Sequence, residues 1–321
     1  ELDQRRQAIL ESITEQDKLT PELEQAIRAA DTKTRLEDLY LPFKKKRRTR
    51  AQQAREAGLE PLADALLENP SLDPGTTAAA YVNPALGIED AKTALDGARY
   101  ILMERFAEDA DLLGRLRRLL KQDGLLSARV IEGKEREATK FRDYFEHDEP
   151  VCKVPSHRAL AMLRGRNEGL LALSLTLPDA NQQAVHPCEA RIAQHWQLRP
   201  QGRPADKWLA EVVRWTWRVK LQPHLETDLL ADLREAAELE AIKVFAANLK
   251  DLLMAAPAGN RATIGLDPGL RTGVKVAVID GTGKVVDHCA IFPTPPQNRI
   301  AEAEQVLVKL CRQHSVELIA I

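Results

Sequence analysis

The spacing of apolar positions changes its period once along the chain, near residue 260. Before that point the repeat is helical. Leu2, Arg6, Ile9 and Ile13 keep the 3-to-4 spacing, and Thr20-Pro21 reads as an N-cap followed by Pro at the first helical position. Residues 1–30 are therefore expected to be helical. Pro42 should end any helix arriving through Leu36–Leu41. A short helix is expected through Glu56, stopped by Gly58, and residues 69–87, with three prolines and two glycines, read as a connector. The strongest periodicity runs from Ile88 through Leu95, Leu102 and Phe106 to Leu120, predicting one long helix that Gly124 ends. Gly97 and Gly114 interrupt it and each marks a candidate close approach.

Beyond Gly124 the pattern is mixed. Arg136–His147 reads as helix, Pro155-Ser156 opens another helix, and Gly169–Leu177 reads as a strand. Two long apolar stripes follow, Trp208/Val212/Trp215/Val219 and Leu230/Leu233/Ala237/Ala241/Val244/Ala247, with Pro223 expected to separate them. After Pro257 the period becomes 2. Ile264 and Leu266, then Val274, Val276 and Val278, alternate with small or polar residues, and Asp280-Gly281-Thr282-Gly283 is hairpin chemistry. A third run to Phe292, a helix from Ile300 to Leu310 and a strand at Val316–Ile321 complete the order β-β-β-α-β. The predicted fold class is thus multidomain and mainly α. Residues 1–259 form a helical scaffold with a subdivision near 124–205, and residues 260–321 form the first half of an α/β domain.

Composition narrows the function. At 321 residues the chain exceeds what one core usually supports, and 44 % hydrophobic with 29 % charged residues is the balance of a globular protein. Aromatic residues are only 4 %, which argues against a large all-β fold. No run approaches a membrane span. A net charge of −2 excludes a uniformly basic nucleic-acid binder, so any such site must be local. Neither a signal peptide nor a paired-cysteine motif is visible, which gives a reduced, cytoplasmic reading. The chain opens on Glu1 and stops inside an apolar run at Ile321, so a fragment trimmed at both ends is expected. His186, Cys188 and His195 lie close in sequence, but their spacing matches no standard zinc site; no metal and no cofactor is expected.

The local basic site is explicit. Eight basic residues fall between Lys33 and Arg50 against Glu37 and Asp38, and Lys44, Lys45, Lys46, Arg47, Arg48 and Arg50 fill six of seven positions. Such a run suits phosphate contact, with binding that falls as salt rises and carries no base specificity. The plainer alternative is a solvated face. Trp208, Trp215 and Trp217 lie among Arg214, Arg218 and Lys220, a pattern that can stack bases. The seven-residue interval between Trp208 and Trp215 favours burial instead.

In Gly265-Leu266-Asp267-Pro268-Gly269-Leu270-Arg271-Thr272-Gly273 a carboxylate stands at the end of the first strand. Asp267 is the single catalytic candidate, as a divalent-metal ligand for phosphodiester chemistry. That chemistry needs several carboxylates around two ions, and Asp280 and Asp287 are poorly placed to help. The other reading of Asp267 is a capped strand–loop junction. No other catalytic constellation rises above background.

The Asp267-Pro268-Gly269 stretch with Thr272-Gly273 and the strand order resembles the YqgF-type, ribonuclease H-like domain related to Holliday-junction resolvases. Upstream, Leu36–Phe43 with the basic run, Gly58-Leu59-Glu60-Pro61-Leu62-Ala63 and Ala94–Arg99 resemble the bacterial Tex family of transcription accessory proteins, in the family's order. The family more often has Tyr where Phe43 stands. The resemblance implies a longer protein with helix-hairpin-helix elements and a C-terminal S1-type barrel. That barrel would be the main nucleic-acid binder and the basic run an auxiliary contact. It also implies a core like that of a eukaryotic transcription-elongation factor, and a Gly-Asn-Gly-Thr segment in place of a second carboxylate. The functional expectation is a non-enzymatic scaffold that binds RNA or single-stranded DNA without sequence specificity, alongside the transcription machinery. The alternatives are a metal-dependent nuclease built on Asp267, and a helical docking module for transcription or translation machinery.

Overall fold

The computed structural model describes residues 1–44, 48–178, 180, 183–269 and 272–321. The chain divides into two compact units, Glu1–Val244 and Phe245–Ile321.

The first unit begins with α1 (Leu2–Thr14), α2 (Pro21–Ala29) and α3 (Lys33–Tyr40). Thr20 caps α2 as its sequence predicts, its hydroxyl accepting from Leu23 N at 3.2 Å. These helices enclose a small core of Ile9, Leu10, Ile13, Ile27, Leu36 and Leu39. A 3-10 turn at Leu41–Phe43 ends α3 where Pro42 demands it. Next come α4 (Arg50–Glu56), α5 (Glu60–Glu68), α6 (Pro74–Ala79), α7 (Ala91–Ala107) and α8 (Ala110–Asp123). The connector thus carries a short helix. The single helix expected from Ile88 to Gly124 is two, because Asp109 caps α8, accepting from Asp111 N at 3.0 Å and Leu112 N at 2.8 Å.

A three-stranded antiparallel sheet follows, formed by β1 (Leu125–Val130), β2 (Glu146–Pro150) and β3 (Leu171–Thr176) in the order β2-β1-β3. Only β3 matches a predicted strand. The Arg136–His147 segment expected to be helical is a 3-10 turn at Thr139–Tyr144 leading into β2, whose Glu146–Pro150 backbone pairs with Arg129–Leu125. Tertiary pairing overrides local propensity there. Helices α9 (Ser156–Asn167), α10 (Pro187–His195) and α11 (Asp206–Trp215) pack around the main core, which includes Leu62, Leu102, Phe106, Leu116 and Val212.

After α11 the chain makes a π turn at Thr216–Leu221 and continues as α12 (Gln222–Leu253). Pro223 does not separate two helices. It stands directly after the π turn, where the hydrogen-bond ladder is already offset, and the helix runs through it. The second predicted stripe buries Leu230 and Ala237, whereas Val244 is exposed.

The second unit has the predicted β-β-β-α-β order. It contains β4 (Thr263–Asp267), β5 (Val274–Ile279), β6 (Val285–Ile291), α13 (Ile300–Gln313) and β7 (Leu318–Ala320). The sheet order is β6-β5-β4-β7, antiparallel except for β4 with β7. Ile264, Val276, Val278, Ile291, Ala303 and Leu310 form its core. Gly273 has φ +75°, and a Cβ there would stand 2.6 Å from Phe292 Cε1, so only glycine fits at the mouth of β5.

Candidate nucleic-acid interface

The basic segment leaves α3 through Lys44, whose N–H bonds Tyr40 O at 3.1 Å. Lys45, Lys46 and Arg47 lie outside the described residues. Lys44, Arg48 and Arg50 are all exposed. Arg48 is held by the helix that follows it: its guanidinium donates to Glu56 Oε2 at 2.5 and 3.1 Å, and this contact keeps the Glu56 carboxyl below its ordinary range. Lys44 and Arg48 border a cleft shared with Lys18, Arg55 and Arg105, and Glu104 and Glu108 line it too. Arg55 is committed to Glu104 at 2.6 Å, and Arg105 to Asp64 at 2.7 Å.

Thr49 fixes where α4 starts. Its Oγ1 accepts from Gln52 N at 3.0 Å and donates to Glu104 Oε1 at 3.1 Å. Arg50 is thereby the first residue of α4 and faces α7. Its guanidinium donates to Tyr100 Oη at 2.7 Å and lies 5.3 Å from the Tyr100 ring centroid. Among the described residues, no carboxylate forms an ion pair with Arg50. Gly97, one turn before Tyr100, lets α7 approach: its missing side chain leaves room for Leu59 Cδ1, with Ala54 Cβ only 3.3 Å from the Cβ position. The close-packing expectation therefore holds at Gly97. At Gly114 it does not, since the nearest atom to an added Cβ would be Arg118 Nη1 at 3.7 Å.

The row of cations and rings continues from Tyr100. Arg99 lies 5.8 Å from the Tyr100 ring and 5.1 Å from the Trp215 ring, and it pairs with Asp96 at 2.8 Å. Val212 is buried as predicted, but Trp215 is 45 % exposed and Val219 is 49 % exposed, so the predicted buried stripe is corrected at those two positions. The buried face instead follows Leu209, Val213, Thr216 and Trp217, and the π turn carries it on to Leu221 and Leu225. Trp208 is half-buried against the core. Trp217 is 2 % exposed and stacks on His186 at 5.1 Å. Arg99 and Tyr100 have no functional signal of their own in the sequence. Their relation to Arg50 spans about fifty positions and that to Trp215 more than a hundred, and both appear only in the fold.

The remaining candidates are dispersed. His186 Nδ1 accepts from Cys188 N at 3.2 Å as the cap of α10. Burial pushes the Cys188 thiol up to about 12. His195 pairs with Asp109 at 3.0 Å. Among the described residues no cluster of three His, Cys, Asp or Glu side chains could hold a metal.

Asp267 ends β4 with an exposed side chain 3.7 Å from Lys275, its partner across the ladder. Asp280 is occupied in its hairpin, accepting from Thr282 N at 2.8 Å, Thr282 Oγ1 at 2.6 Å and Lys284 N at 3.1 Å. Asp287 pairs with His314 at 3.1 Å, and that hydrogen bond holds its carboxyl below the ordinary range.

A family profile described as Tex central region-like matches residues 69–245, and one described as Tex protein YqgF-like domain matches residues 261–321. The chain is 59 % identical to protein YhgF of Escherichia coli over all of its own length and 42 % of that protein. It is 51 % identical to the transcriptional accessory protein Tex of Neisseria gonorrhoeae, again over its whole length and 41 % of the relative. Human S1 RNA-binding domain-containing protein 1 is 28 % identical over 88 % of this chain and 29 % of that protein. The chain spans about two fifths of the length of the bacterial relatives. Among the described residues no helix is long and apolar enough to cross a membrane.

Proposed function

Because the chain belongs to the Tex family, we propose that it acts as a transcription accessory scaffold that binds RNA or single-stranded DNA through phosphates, without reading sequence and without catalysing a reaction. The basic segment Lys44–Arg50 is the proposed contact. One observation carries this reading: Arg50 is exposed, is paired with no carboxylate among the described residues, and is oriented by Tyr100 rather than neutralised. A guanidinium kept in this way remains available to a phosphate. The names of the relatives, one a transcriptional accessory protein and one an S1 RNA-binding domain protein, support the same class. In this reading the protein works in the cytoplasm, and residues 260–321 begin a ribonuclease H-like domain that serves as structure.

The test is binding of a fluorescent single-stranded RNA to the chain at low and rising salt. Binding that weakens steeply with salt, and is lost when Lys44, Lys45, Lys46, Arg47, Arg48 and Arg50 are replaced by Gln, supports the reading. Absence of binding at low salt contradicts it.

A further inference from the structure

We infer that Trp215 is a stacking platform for an unpaired nucleobase, with Arg99 lying over its ring and the Arg50–Tyr100 pair adjoining it along the same row. This rests on the phosphate-binding reading and adds to it the part of the ligand that is recognised: the base rather than the backbone. Three observations carry it.

The first is exposure. Trp215 keeps 45 % of its surface in solvent, while Trp217 two residues on is buried and stacked on His186. The fold therefore places one indole of this pair inside and leaves the other outside. A lone exposed apolar side chain needs no explanation, but this one has specific neighbours.

The second is charge. Arg99 lies 5.1 Å from the Trp215 centroid, Arg214 and Arg218 flank it along the helix, and both are exposed. The acids nearby are Asp96, paired with Arg99, Glu189, 3.7 Å from Arg218, and Glu211 one turn before Trp215. Three guanidiniums, Arg99, Arg214 and Arg218, stand against these three acids, and among the described residues no carboxylate forms an ion pair with the exposed Arg214.

The third is continuity with the proposed phosphate contact. Arg50, Tyr100, Arg99 and Trp215 form an unbroken row, each within 5.8 Å of the next by guanidinium-to-ring distance. A strand whose phosphates meet Arg50 has an aromatic face within reach along the same row. This pairing of a basic track with an aromatic platform is the physical basis of sequence-tolerant single-strand binding, since every base has a π-face.

The experiment compares an oligoadenylate of about 12 nucleotides with an abasic oligomer of the same length. Both are titrated into the wild-type chain, Trp215→Ala and Trp215→Phe at fixed salt, with circular dichroism and thermal unfolding confirming that the variants fold. Tryptophan fluorescence is read alongside anisotropy. The inference predicts quenching by the oligoadenylate in the wild type and loss of that quenching in both variants. It further predicts a roughly 5-fold or larger loss of oligoadenylate affinity in Trp215→Ala, a smaller loss in Trp215→Phe, and unchanged abasic affinity. Equal affinities of wild type and Trp215→Ala for the oligoadenylate, with no quenching, overturn the platform and leave the phosphate reading standing. Failure of the wild type to bind either oligomer overturns both.

Discussion

Arg117 grips Asp38 with two hydrogen bonds, at 2.6 and 3.0 Å. Asp38 is 4 % exposed and sits on α3, the helix that delivers the chain into the basic segment. Arg117 belongs to α8 and also reaches Asp228 on α12 at 3.0 Å. One guanidinium therefore ties three helices together. Removing it leaves a buried carboxylate without its partner, which typically costs about 3–5 kcal/mol. Arg117→Leu is expected to lower the urea midpoint accordingly. Asp38→Leu combined with Arg117→Leu should recover part of the loss, because the buried Asp38 charge is no longer orphaned and the carboxylate that remains, Asp228, is partly exposed to water. Equal loss in the single and double variants would contradict this account of the pair.

The two glycines of the predicted long helix should respond in opposite directions. A Cβ on Gly97 meets Leu59 Cδ1 and crowds Ala54, so Gly97→Ala is expected to destabilise. Overpacking of about 1–3 kcal/mol outweighs the helix-propensity gain of about 1 kcal/mol. Gly114→Ala meets nothing closer than 3.7 Å and should stabilise by up to about 1 kcal/mol. Thermal unfolding of both variants checks the contrast.

Asp206 gives a defined pH response. Its carboxylate accepts from Gln201 N at 2.6 Å, and from Arg203 N and Arg203 Nε at 3.0 Å each. Those bonds, the Gln201 amide foremost, pull its pKa from 3.8 to about 2. A depressed carboxylate stabilises the fold above its unfolded pKa, and that stability fades as pH falls through the folded value. Asp206→Asn should therefore unfold at a lower temperature than wild type near neutral pH. The gap should narrow between about pH 4 and pH 2. A gap that stays constant across this range would mean that the carboxylate charge contributes nothing.

Asp267→Asn is expected to be nearly silent. An exposed pair with Lys275 contributes within about 1 kcal/mol, and no other described carboxylate accompanies Asp267. Incubation of wild type and variant with branched DNA or RNA in Mg²⁺ or Mn²⁺ should give no cleavage that depends on this residue. Cleavage by the wild type that disappears in the variant would restore the nuclease reading.

The elements that depend on local chemistry were legible in the sequence. The period-2 runs, the Asp280 hairpin and the β-β-β-α-β order of residues 263–320 need only neighbouring residues, and so does the Thr20 cap. Elements fixed by distant partners were not legible. Strands β1 and β2 exist because they pair with each other and with β3. Periodicity alone misplaces Trp215, because the buried face runs beside the straight-helix line and then through a π turn. The basic run was plain from Lys44 to Arg50, yet the aromatic half of the row was not. Tyr100 and Trp215 reach it only through the packing of α4 on α7 and of α7 on α11.

Phosphate contact at the basic segment is measured most directly by the salt dependence of single-strand binding. Each phosphate neutralised contributes about 0.7 to the slope of log affinity against log salt on single strands. The wild-type chain is predicted to show a steep negative slope, and Lys44→Gln with Arg50→Gln should reduce its magnitude by about 1.4, two contacts at about 0.7 each. An identical slope in wild type and double variant would contradict the assignment of this segment as the phosphate contact.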